Sequence, residues 1–353
     1  MRNTDFSDDK ITGLFHGKKV LFITTKNIDY IRNSQEINFL EKSAQSVKVI
    51  GGLDKNYIIR LIKIYVKVFI MSIKDYDLVF VGFAPQLILP LFRNKFKGKF
   101  IVEDFFISLY DTFVCDRKKF KPNSLCAKLF LHIDKVTIEL SDEIIVDTAA
   151  HGNYFTNNLG ARRSKINVVY LDADSSIYYV RPKIGQAQHN KKFVVLYFGS
   201  ILPLQGVDII LQCVKNMEDI SSVIFEIIGP VKDKDLKKYK DLKNVDFIPW
   251  LSQRRLAEKI AESDLCLAGH FNSRIAKASR TIPGKAYIYD SMEKPMILGD
   301  NPANHELFDE DDNKYYYVEM GNANKLKEKI LHVMKKSIFN SNKKSIDNSK
   351  MQM

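Results

Sequence analysis

Cysteine is scarce in this chain, with four in 353 residues. Cys115, Cys126, Cys213 and Cys266 form no C-x-x-C pair, so no local motif encodes a zinc or dithiol redox centre. Reduced, buried thiols in a cytoplasmic chain are the expectation. Long apolar runs are also missing. No stretch of about 18 uncharged apolar residues occurs, and no membrane-spanning helix is expected. Met1 to Lys19 is polar and lacks the apolar centre of a secretory leader. Acidic residues are in deficit, 42 against 54 Lys and Arg, for a net charge of +12. The excess favours an anionic partner: nucleotide phosphate, an anionic membrane or nucleic acid. The cations are dispersed and no nucleic-acid motif accompanies them, so nucleic acid is not an expected partner.

What is present is a repeated alternation of strand and helix. Hydrophobic residues make up 45% of the chain, enough for packed interiors. Its length exceeds the roughly 250–300 residues at which single cores stop growing, which predicts two α/β domains. Short apolar, β-branched runs read as buried parallel strands at Lys19–Thr25, Ser46–Ile50, Asp77–Gly82, Lys99–Glu103, Glu143–Asp147 and Ile166–Leu171. Helices are expected near Ser34–Ala44, Ser124–Leu140 and His151–Gly160. Periodicity fades from Ser175 to Lys192, a stretch that reads as a linker. The pattern restarts with strands at Phe193–Phe198, Val223–Ile228, Val245–Ile248, Leu265–Ala268 and Pro295–Leu298. Helices are expected at Val207–Lys215, Arg254–Ala261 and Pro283–Met292. Residues 1–180 and 181–335 are therefore read as two doubly wound, Rossmann-like domains. Residues 336–353 are read as a polar tail, partly disordered.

Two turns of the second domain carry phosphate-binding character. The first, Gly199-Ser200-Ile201-Leu202-Pro203-Leu204-Gln205-Gly206, links a strand to a helix with a glycine at each end. Glycine lets a ligand approach the backbone, and the helix N-terminus offers free N–H groups to an anion. An ordinary βα turn is the bland alternative. The second, Lys277-Ala278-Ser279-Arg280-Thr281-Ile282-Pro283-Gly284-Lys285, concentrates three cations at the start of a helix. Its alternative is a solvated basic loop. Both lie at carboxyl ends of strands in one domain, where α/β sheets bind ligands.

The segments Phe198–Leu211, Phe225–Pro230, Val245–Leu267 and Lys277–Phe308 resemble glycosyltransferase family four, of the GT-B fold, in the branch of bacterial surface-polysaccharide enzymes. The first half resembles that family only loosely, chiefly at Ser141–Asp147. The resemblance implies two Rossmann-like domains facing across a cleft. It implies retaining transfer from a nucleotide-diphosphate-sugar donor to a glycan or lipid-linked saccharide, with no cofactor and no metal. The diphosphate departs on the front face and helps deprotonate the acceptor. Carried over, Gly199 and Ser200 line the phosphates, and Arg280 and Lys285 neutralise the leaving group. Gln205, Gly206, His270, Phe271, Lys277, Pro283, Gly284 and Ile288 complete the donor side. The family commonly has Arg and Lys in the first loop, where Ser200 and Gln205 stand here, and a ribose-holding Glu at the position of Ile288. Asp290 is the nearest carboxylate. These departures support a competing expectation, a glycosyltransferase-like partner subunit that binds sugar or protein without turnover.

Three further features stand outside those loops. Asp172-Ala173-Asp174 follows a strand and could ligate Mn²⁺ or Mg²⁺ on a nucleotide; a domain-boundary turn is the preferred reading. The loop Asp104–Thr112 is aromatic and acidic. Asp104, assigned to the catalytic set, and Phe106, Tyr110 and Asp111 are candidates for acceptor contacts, with core packing of Phe105 and Phe106 as the alternative. Along Ile58–Lys74, Arg60, Lys63, Lys67 and Lys74 fall near one helical face. Such a helix suits peripheral contact with an anionic membrane at its inner face, or a domain helix with one wet side.

Overall fold

The computed structural model describes residues 9–182, 192–231, 237–239 and 241–351. Half of the expected linker, residues 183–191, lies outside them. The chain divides into two compact units, Met1–Ala173 and Asp174–Met353.

The first unit runs α1 (Asp9–Phe15), β1 (Lys19–Asn27), α2 (Ile31–Ser43), β2 (Ser46–Gly52), α3 (Tyr57–Ile70), β3 (Leu78–Val81) and α4 (Leu89–Phe92). It continues with β4 (Phe100–Asp104), α5 (Leu125–Leu140), β5 (Glu143–Val146), α6 (Ala149–Tyr154) and β6 (Ile166–Val168). Its six strands are all parallel, in the order β2-β1-β3-β4-β5-β6. The strands are apolar on both faces because both are covered. Phe15, Phe22, Phe80 and Val102 pack on one side, and Leu21, Ile23, Val79 and Val81 on the other. The helix expected at His151–Gly160 is present and begins two residues earlier, at Ala149. α6 gives way to a wider turn over Phe155–Leu159, and Gly160 ends it in the left-handed region at φ 82°.

The second unit runs β7 (Phe193–Phe198), α7 (Val207–Asn216), β8 (Val223–Ile228), β9 (Val245–Ile248), α8 (Gln253–Glu262) and β10 (Leu265–Gly269). It then adds α9 (Gly284–Ser291), β11 (Met296–Gly299), α10 (Pro302–His305), β12 (Tyr315–Val318) and α11 (Ala323–Met351). Strand order is β12-β11-β10-β7-β8-β9, again all parallel. β7 pairs with β8 from Phe193↔Val223 to Phe198↔Ile228, yet with β10 only at Leu265↔Val195 and Cys266↔Leu196. The two central strands part beyond these pairs, at the point where strand order reverses. Open α/β sheets place their ligand crevice there. Helix α11 continues through most of the segment expected to be a partly disordered tail. Leu326, Ile330 and Val333 join the core of this unit, which gives the polar sequence an apolar stripe to fold around.

Cys213 and Cys266 are buried, and desolvation pushes their thiols up to about 12 and about 11; Cys115 and Cys126 are exposed. A thiol reagent such as DTNB is expected to label two groups in the native protein and four after denaturation. Fast labelling of all four would contradict this burial.

Candidate functional site

The crevice between β7 and β10 is built of glycines that let backbones touch. Gly199, after β7, sits at φ 142°, and Gly229, after β8, at φ 136°. A Cβ on Gly229 would collide with the Gly199 carbonyl oxygen. Gly206, at φ 69°, would bring a Cβ within 2.7 Å of the Phe271 carbonyl carbon. Side chains there would push the loops apart. The short turn Pro203–Gln205 precedes α7, and the Phe271 amide donates to the Gln205 carbonyl at 3.2 Å. The end of β10 is thereby fastened to the first glycine loop.

Lys285 enters this site from the first turn of α9. It is buried, its ammonium donates to Gln205 Oε1, and Nζ lies 4.5 Å from the centroid of the Tyr197 ring. A Cβ on Gly199 would stand 3.4 Å from that Nζ. Among the described residues no carboxylate pairs with it. Desolvation alone lowers its pKa to about 7. His270, also buried, is pushed down to about 3 by burial first and then by the charge of Lys285, so its imidazole is neutral. Its Nδ1 lies 3.4 Å from the Ala278 carbonyl oxygen. The Tyr197 hydroxyl is buried without a hydrogen-bond partner among the described residues. A desolvated ammonium facing glycine backbone at a helix N-terminus has the chemistry to attract an anion.

The other donor-side residues fall around this centre by position in the chain. Ser200 is exposed at the mouth of the first loop, while Lys277 and Arg280 are half-buried on the loop before α9. Pro283 and Gly284 open α9, and Ile288 lies half-buried one turn further on. Asp290 is half-buried and already engaged. Its Oδ1 accepts from Lys314 Nζ at 2.7 Å and from the Tyr315 hydroxyl. One group escaped the sequence reading. Trp250, the single tryptophan, follows β9 with 61% of its surface exposed. Its Cζ3 lies 3.4 Å from where a Cβ on Gly229 would be. The end of an ordinary strand carries no signal for this; only the sheet order brings it beside Gly229.

In the first unit, Asp104 is fully buried rather than presented to a ligand. Arg32 of α2 grips it with Nε to Oδ2 at 2.8 Å and Nη2 to Oδ1 at 3.2 Å, and donates Nη1 to the Val169 carbonyl at 2.7 Å. Glu36, one turn along α2, has Oε1 3.5 Å from Arg32 Nε. Burial, then the Asp104 charge, raises the Glu36 pKa well above the usual range. Phe105 is core, packed edge-on to Phe155, and Phe106 is half-buried against Phe83. Asp134 of α5 holds the loop that follows. It accepts from Ser108 Oγ and from the amides of Leu109 and Tyr110 at 2.7, 3.0 and 2.9 Å. Tyr110 is half-buried and Asp111 buried. Asp172 and Asp174 each accept locally through Oδ1, from the amides of Ala173 and Ser176 at 2.8 and 3.0 Å.

No protein-family model and no curated protein sequence matches the chain. Solved structures do match. Anabaena HepE in complex with UDP is similar at a TM-score of 0.63 and 15% identity over 90% of both chains. A Thermosynechococcus elongatus sucrose-phosphate synthase gives 0.64 and 12% over the same shares. The lipopolysaccharide outer core galactosyltransferase WaaB gives 0.57 and 14% over 90% of this chain and 91% of its own. The chain has the GT-B fold. In GT-B terms, Lys285 and its glycine loops belong to the second Rossmann-like unit, and the Arg32–Asp104–Glu36 cluster to the first.

Arg32→Gln strands two buried carboxylates and is expected to lower stability by about 3–5 kcal/mol at pH 8. The loss shrinks toward pH 5, because the raised Glu36 pKa lets the folded state take up a proton before the unfolded one does. Denaturant unfolding at the two pH values checks both statements.

Proposed function

We propose that this chain is a glycosyltransferase that moves a sugar from a nucleoside-diphosphate donor held in the second unit. The observation that carries the reading is Lys285: a buried ammonium with no carboxylate partner among the described residues, set against Gly199 at the N-terminus of α9. Burying such a charge is costly unless an anion arrives to share the site. A diphosphate supplies that anion, and the same charge then stabilises it as a leaving group. The GT-B likeness to the UDP complex of HepE supports a nucleotide-sugar donor.

Arg280 and Lys277 add positive charge on the loop before α9, and Ser200 and Gly199 line the phosphates from the other side. Neutral His270 and Phe271 wall the site. Trp250 offers an exposed aromatic face beside Gly229, suited to the nucleoside end. The transfer is read as retaining and independent of metal, because cations and helix N–H groups offset the diphosphate charge. The acceptor is a glycan or a lipid-linked saccharide, and contact with an anionic membrane surface is part of the proposal. Tyr110 and Phe106 are the acceptor-side candidates with exposed surface. Asp104 acts through Arg32 as a positioning residue.

Binding is expected to quench the single-tryptophan fluorescence when UDP, GDP or ADP is titrated in EDTA. No response to any nucleoside diphosphate, with or without Mn²⁺, would defeat the donor assignment. Lys285→Met is expected to weaken binding at least tenfold while raising the thermal midpoint of the free protein, since it removes an unpaired buried charge. The pH dependence has a definite sign. Lys285 titrates near 7 when folded and at its ordinary value of 10.5 when unfolded, so the unfolded chain holds more protons between these values. The penalty from its burial is therefore full below pH 7 and declines as pH rises toward 10.5. Diphosphate binding pulls the proton back, so affinity falls above pH 7, with uptake of up to one proton measurable by calorimetry in two buffers.

A further inference from the structure

Helix α3 is apolar on two opposite sides, and only one of them is covered. Ile64 and Val68 sink into the core with Leu21, Ile23, Val79 and Val81. Arg60, expected on a basic outer face, is buried instead, donating to the carbonyls of Thr25 and Asp54. The outer face carries Ile58, Ile59, Ile62, Val66, Phe69 and Ile70, all exposed. Phe69 is 75% exposed, Ile70 73% and Ile58 68%. At ~100° per residue these six side chains fall within about 120° of arc, one continuous stripe along the whole helix. Scattered apolar residues are normal on a protein surface, but a contiguous stripe of this kind marks a contact.

The stripe is bordered by positive charge. From Lys55 to Lys74 there is no acidic residue, and Lys63 and Lys67 stand exposed along the edge of the stripe. Asp54 is the one carboxylate paired there, to Lys63. At the C-terminal end of α3, Lys95 donates to the Phe69 carbonyl at 2.6 Å, and Lys99 to the Lys74 carbonyl at 3.1 Å. Both belong to Arg93-Asn94-Lys95-Phe96-Lys97-Gly98-Lys99, which brings more cations and no acid to that end. Lysine is depleted in protein–protein contacts, whereas a lysine border around aliphatic and phenyl groups matches an anionic lipid surface.

We infer that the outer face of α3 docks this protein on an anionic phospholipid bilayer, with Phe69, Ile70, Ile62 and Ile58 entering the acyl boundary and Lys63, Lys67 and Lys95 meeting headgroup phosphates. The inference rests on the membrane contact proposed above and adds the face that makes it. The helix lies flat on the surface, since no helix among the described residues is long and apolar enough to cross a membrane. Neutral lipid leaves the lysine border unsatisfied, so binding requires anionic headgroups and weakens with salt.

Flotation of the full chain with vesicles of phosphatidylcholine alone, or with added phosphatidylglycerol, tests the inference. Phe69→Ser/Ile70→Ser alters only exposed side chains, so the thermal midpoint is expected to hold while partition onto anionic vesicles falls at least tenfold. Lys63→Gln/Lys67→Gln is expected to lower partition several-fold and flatten its salt dependence. Equal flotation of parent and Phe69→Ser/Ile70→Ser, or no flotation of the parent on anionic vesicles, overturns it. So does a parent that sediments as a dimer which this variant dissociates, because the stripe is then covered by a second copy. Trp250 fluorescence with UDP is read in the same samples. Loss of nucleotide binding with flotation intact counts against the donor assignment alone.

Discussion

The desolvated charge of Lys285 sets the terms for the second half of this molecule. An ammonium lowered to about 7 by burial is poised between two states, and a small change in its surroundings decides which holds. Everything near it keeps that balance. Gln205 offers a dipole rather than a charge, Tyr197 a ring face, and His270 a neutral imidazole. A carboxylate at any of these places would fix the lysine as an ion pair. The first loop offers Ser200 and Gln205 in place of cations, and Gln205 Oε1 is the acceptor that Lys285 uses.

The first unit solves a related problem in the opposite way. There a guanidinium is buried beside two acidic side chains, gripping Asp104 and the Val169 carbonyl and lying 3.5 Å from Glu36. The cluster ties α2 to β4 and to the chain after β6. The loop beyond β4 is held separately by Asp134. Each unit thus buries a cation, in a different electrostatic setting. Arg32 has carboxylates beside it, whereas Lys285 has no carboxylate partner among the described residues.

Much of this was legible in the residues. Short β-branched runs bounded by turns located β7, β8 and β9 to the residue, because strands covered on both faces must be apolar throughout. The glycine pair and the Lys277–Lys285 stretch were visible as the loops that meet around Lys285, since positive φ and a helix start leave local signatures. What was not legible depends on tertiary neighbours. The tyrosines of β12 gave no periodic pattern, and that strand exists because β11 offers it an edge. The burial of Asp104 could not be read from its loop, because Arg32 comes from a distant helix. The charges of α3 were visible in the sequence, but which of its two apolar sides stays uncovered was not.

Strand order has a consequence for how the chain acquires its shape. In an all-parallel sheet no neighbouring strands form a hairpin, so each pairing waits for a crossover to be made. The pairing of Val195 with Leu265 waits longest in the second unit, as β8, β9 and their connections must all be placed between them. The crevice around Lys285 opens from that pair. A growing chain that has finished β9 therefore owns the glycine loop but not the wall opposite, and the site is assembled late, by the slowest kind of contact the fold contains.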